Sequence, residues 1–106
     1  MDDGSSMDWY ILTANHRVRK VSFEVWEKWR KEGKVGRRVD HTSVGEVNIS
    51  TVFLLASIDR DHLFETMLFG GPLSDIQVCY ATWGEAVKGH KEIVAQVRSA
   101  RKEAKE

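Results

Sequence analysis

The sequence predicts an α+β domain: an antiparallel meander sheet of about five or six strands with two helices, in the order ββαββββα. Three observations predict it. The stretch from Asn48 to Gly71, NISTVFLLASIDRDHLFETMLFGG, holds two apolar runs joined by a short polar connection, the first with strand alternation. Two other stretches, one in each half of the chain, switch to helical spacing behind an N-cap residue. The connections between consecutive strands are too short for parallel crossovers, so neighbouring strands should run antiparallel. At 106 residues the chain has room for one domain with one core.

The first seven residues, MDDGSSM, lack periodicity and read as a tail, with Met7 a candidate start; the domain is expected over 8–101. Trp9 to Thr13 reads as a strand, Asn15-His16 as a turn and Val18 to Val21 as its hairpin partner. Ser22 then caps a helix of about three turns, with Phe23, Trp26 and Trp29 on one buried face and Gly33 as its stop. From Arg37 to Ser57 the period returns to two around a turn at Val44-Gly45-Glu46. Apolar residues on both faces from Val52 onward suggest a central strand covered at least partly on each side. Asp59 to His62 is the next loop, Leu63 to Phe69 a strand, and Gly70-Gly71-Pro72 opens a turn that keeps Pro72 outside the ladder before Ile76–Ala81.

Thr82-Trp83-Gly84-Glu85 fits a capping box. The helix behind it should bury Trp83, Ala86, Val87, His90, Val94 and Val97, and residues 102–106 form a charged end expected to fray. The expected core is Trp26, Trp29, Phe53, Leu55, Trp83, Val87 and Val94.

Composition excludes several classes. A hydrophobic fraction of 42% with 4 Trp, 2 Tyr and 4 Phe supplies a core, against disorder throughout. The single cysteine, Cys79, forms no internal disulfide and reads as structural, so a reducing, cytoplasmic setting is expected. No apolar run is long enough to span a membrane, and no signal-peptide layout opens the chain. Net charge is +0, but it is segregated. Residues 16–38 carry nine Lys/Arg against Glu24, Glu27 and Glu32, whereas residues 39–86 carry seven carboxylates against Arg60 alone.

No motif demands a particular chemistry. Asp40, His41, Asp59, Asp61, His62, Glu65 and His90 are metal-ligand types, but no H-x-x-x-H or H-E-x-x-H pair brings them together. Glu65 sits on a strand with Leu63, Met67 and Phe69, where a covered carboxylate needs a partner or a proton. His90 lies on the apolar stripe of the last helix, either as a base opposed to Glu65 or as a packed ring bonded through its nitrogens. No cofactor and no metal site is expected, and the chain reads as no enzyme.

Val44-Gly45-Glu46-Val47 with Ser50-Thr51-Val52-Phe53-Leu54, then Leu63 to Gly71, then Tyr80 to His90, together with Ser22-Phe23-Glu24-Val25-Trp26, resembles a group of small bacteriophage and prophage proteins of unassigned function. The pattern covers roughly residues 10–100. The chain departs from it at Ser57-Ile58, where the group has Asp-His and a longer loop. The resemblance implies an origin more than an activity.

Size and implied origin lead to a phage-derived protein-binding module that occludes a host enzyme, in the manner of anti-CRISPR proteins, with a host or phage protein as partner. Asp59, Asp61 and Asp75 are its expected contact residues, in two loops at opposite ends of the Leu63–Phe69 strand. The alternative is nucleic-acid binding through the basic 17–38 segment, with Lys34, Arg37 and Arg38 on phosphates. A third reading is a small metal-dependent enzyme around His41, His62 and Glu65. Oligomeric state is open at this level.

Overall fold

Alternation from Val47 to Phe53 sends Val47, Ile49, Thr51 and Phe53 to one face, and all four are buried. In the computed structural model, which describes residues 8–55, 60–71 and 76–105, this segment is the strand β4 of a chain ordered β1 (Trp9–Leu12), β2 (Val18–Val21), α1 (Phe23–Glu32), β3 (Arg38–Val44), β4 (Val47–Phe53), β5 (Phe64–Phe69), β6 (Gln77–Tyr80) and α2 (Trp83–Lys105). The fold is α+β in the order ββαββββα. Its strands divide into two antiparallel sheets, a β1–β2 pair and a four-stranded meander β3–β4–β5–β6. The first hairpin is held off the meander because α1 intervenes before β3. It joins the core through side chains instead: Tyr10 and Leu12 pack with Phe53, Leu63, Phe64 and Ala86.

The α1 boundaries follow from local chemistry. Ser22 is extended, and its Oγ accepts from the Val25 amide at 3.3 Å; Gly33 is left-handed and donates to Trp29 O at 3.2 Å. Glu24 in the first turn and Arg30 and Lys31 in the last suit the helix dipole. Trp26 is buried, and its indole N–H donates to Leu55 O at 3.0 Å, while the half-buried Trp29 donates to Leu12 O at 3.2 Å. Each ring thus loses apolar surface to the core and keeps its polar atom bonded. Phe23 departs from the expected buried face. It is 42% exposed at the margin of a cluster with Trp9 and Trp26.

Thr82 caps α2 by accepting from the Glu85 amide at 3.1 Å, and the Glu85 carboxylate accepts from Ala81 N–H at 3.1 Å. The helix then buries Ala86, Gly89, His90, Ile93, Val94 and Val97, and its backbone continues through 102–105. Ile93, Val94 and Val97 pack on Val47, Ile49 and Leu68 as the second half of the core. Of the expected core, Phe53, Trp26 and Val94 are buried; Trp29, Leu55, Trp83 and Val87 are half-buried.

Both core clusters lie on the face of the meander that carries Thr51, Thr66 and Phe53. Among the described residues no helix or strand packs on the opposite face. Val52 and Met67 remain half-exposed, Phe69 is 51% exposed, and none of the three belongs to either cluster.

Candidate functional site

The covered face holds a polar hub. Ladder pairing sets Thr51 on β4 directly opposite Thr66 on β5, and the two buried hydroxyls bond each other. His90 descends onto them from α2. Its Nδ1 lies 2.7 Å from Thr51 Oγ1 and its Nε2 2.9 Å from Thr42 Oγ1 on β3, so neither nitrogen is orphaned in the core. Asp40 Oδ2 approaches Nε2 at 3.7 Å. A β-bulge aims that carboxylate: the register shifts between Arg38 and Asp40, so Arg38 opposes Val52 and Asp40 opposes Thr51. Without the extra residue, strand alternation would turn Asp40 to the open face.

Burial pushes the His90 pKa down; Asp40 opposes this and the nearby His41 adds to it. Burial prevails, so the contact with Asp40 is that of a carboxylate with a neutral ring rather than an ion pair. At 1% exposure the imidazole fastens α2 to β3 and β4 directly, and to β5 through the Thr51–Thr66 bond.

Glu65 is separated from this hub by the sheet itself. It pairs laterally with Val52 and Cys79, on the open face, half-exposed. It cannot share a proton with His90 through the sheet. His41 and His62 are exposed, and among the described residues no group of three or more His, Cys, Asp or Glu side chains is placed to hold a metal ion. Cys79 is exposed, and partial burial followed by the charge of Glu65 raises its thiol pKa.

Of the residues expected to contact a partner, Asp59 and Asp75 lie outside the described residues. Asp61 is exposed in a cleft between the β1–β2 hairpin and the start of α2. The basic 17–38 segment is dispersed by the fold. Arg17 and Lys20 turn to that cleft, whereas Lys28 and Lys31 alternate with Glu24, Glu27 and Glu32 along α1. Lys34 is exposed after α1, the Arg37 guanidinium donates to Phe53 O at 3.3 Å, and Arg38 belongs to the open sheet face. All three remain exposed. The acidic block is drawn elsewhere too, Asp40 to His90 and Glu46 to Arg101 at 2.6 Å.

The open face of the sheet is a second feature. Pairing places Arg38, His41 and Ser43 on β3, Asn48, Ser50 and Val52 on β4, Glu65, Met67 and Phe69 on β5, and Gln77 and Cys79 on β6 together on it. Among these described residues Arg38 and Glu65 are the only Lys, Arg, Asp or Glu side chains, in a chain that is 30% charged. Sequence reading missed this face because alternation in β4 identifies two sides without saying which one receives the helices. Compared with known proteins, the chain matches no family model, no curated protein and no solved structure. No helix among the described residues is long and apolar enough to cross a membrane.

Proposed function

We propose that this chain is a protein-binding module that docks a host protein on the open face of its four-stranded sheet and acts by occlusion, without catalysis. The observation that carries the reading is the composition of that face. Charge is depleted there and Val52, Met67, Phe69 and Cys79 are gathered across neighbouring strands, the pattern of an interface centre rather than of ordinary surface. The separation of Glu65 from His90 by the sheet weighs against an acid–base pair. The resemblance to phage-encoded proteins adds the partner class: a host enzyme, defence nucleases among them, met in the cytoplasm.

The test is affinity capture from a bacterial host with the unmodified chain and with the double variant Val52→Lys, Phe69→Glu. A specific host protein should be retained by the former and lost with the latter, while the thermal midpoint of the variant stays within a few degrees. Retention by both, capture of no host protein, or self-association through the same face in sedimentation would each overturn the proposal.

A further inference from the structure

A second surface feature is independent of the open sheet face. Four stretches of chain converge on a cleft of about 490 Å³ between the β1–β2 hairpin and the start of α2. The hairpin turn supplies His16 and Arg17, β2 supplies Lys20, the loop before β5 supplies Arg60 and Asp61, and Trp83 comes from the first turn of α2. The volume is in the range of small-ligand sites. Arg17, Lys20 and Arg60 outnumber Asp61 among the lining side chains of a protein whose net charge is +0. Lys20 also reaches Asp8 at 3.4 Å, with both side chains more than half exposed, a contact that solvent screens and an anion can displace.

The apolar part of the cleft is aromatic and flat. The His16 imidazole lies on the Trp83 indole at a centroid distance of 3.8 Å and an interplanar angle of 5°. His16 is also the one non-glycine residue with positive φ among the described residues, 64°, a conformation uncommon outside glycine. The turn holds it there through bonds from His16 N–H to Thr13 O at 2.9 Å and from Arg17 N–H to Thr13 Oγ1 at 3.1 Å. Trp83 also packs nearly perpendicular to the Phe64 ring. A rigid indole, a stacked ring and flanking guanidinium groups are what a phosphorylated planar ligand needs: stacking for the ring and forked donors for the phosphate. The helix terminus adds little on its own, because its capping hydroxyl is already bonded to Glu85.

We infer that the hairpin–α2 cleft binds nucleotide phosphates, with Arg17 and Arg60 on the phosphate and the His16–Trp83 stack against the base. The ligand is either a free nucleotide or the terminal nucleotide of a single strand; the chemistry recognised is the same. Trp83 makes the site observable. Titration of the full chain with ADP, with inorganic pyrophosphate and with a short 5′-phosphorylated oligothymidylate, followed by indole fluorescence and calorimetry, separates the sources. Saturable binding of ADP more tightly than of pyrophosphate supports a free nucleotide; tighter binding of the oligonucleotide supports a strand end. In either case Arg17→Gln and Arg60→Gln should each weaken binding by about tenfold or more, and Lys34→Gln, which lies outside the cleft, should leave it unchanged. No saturable binding of any of the three probes, or binding equally strong in both arginine variants, would overturn the inference. Circular dichroism of the variants guards against unfolding, and neither arginine lies in a core cluster.

Discussion

Two buried polar groups at the contact of α2 with the sheet have opposite standing. His90 has a partner at each nitrogen, whereas the Tyr80 hydroxyl is buried with no hydrogen-bond partner among the described residues. A buried hydroxyl without a partner is a net cost, and removing it restores what its desolvation took. Tyr80→Phe should therefore leave the denaturation midpoint unchanged or raise it, against the general rule that core substitutions destabilise. A loss of more than about 1 kcal/mol in denaturant unfolding would reveal a partner for the hydroxyl. Phe53 has the plainer role. Fully buried between Trp29 and Phe64, it contributes mainly apolar burial.

At the scale of elements, the contact between α2 and β6 depends on one missing methyl group. Gly89 is buried in the middle of α2, and a Cβ there would collide with the Tyr80 ring. In a free helix, alanine is favoured over glycine by about 1 kcal/mol. Here overpacking, which typically costs about 1–3 kcal/mol, should outweigh that gain, so Gly89→Ala is expected to lower stability in chemical denaturation. Stabilisation would mean that the tyrosine ring moves aside without loss. The far end of α2 is tied differently. Gly45 takes a φ of 62° in the β3–β4 turn, and the Arg101 guanidinium lies where its Cβ would stand while binding Glu46. The turn thus needs glycine for its backbone, and a side chain there would displace the arginine that covers it.

For the whole molecule, the hub makes stability depend on pH in a defined window. The folded state holds the His90 pKa below its ordinary 6.5, so on acidification the unfolded chain takes up a proton first. Stability from this group is complete above that value and falls as pH drops below it, until the folded ring also protonates. Denaturant midpoints collected from about pH 8 to about pH 5 should decline on the acid side, and His90→Gln should remove that step. A rise on acidification through the window would mean that Asp40 outweighs burial. A separate loss should follow lower, below 4.5, where Glu46 titrates: its own backbone amide and then Arg101 hold that carboxyl below the usual range. His90→Gln should remove the first loss and leave the second, so the variant distinguishes them.

What the sequence determined by itself was the local syntax of the chain. Ser22, Gly33 and Thr82 announce helix ends because each cap bond closes within a few residues. The strand alternation from Val47 to Phe53 shows because every second side chain enters the same environment. Those signals are short-ranged, and the order ββαββββα follows from them. The tertiary structure alone decided the rest. Whether Asp40 meets His90 depends on a bulge whose extra residue leaves no mark in composition. Which side of β4 stays open depends on where α2 lands after a separation of some forty residues, from Thr51 to His90. The cleft draws Arg17, Arg60 and Trp83 from segments that share no period or spacing. Such juxtapositions arise from burying one common core, a property of the whole chain that no local window contains.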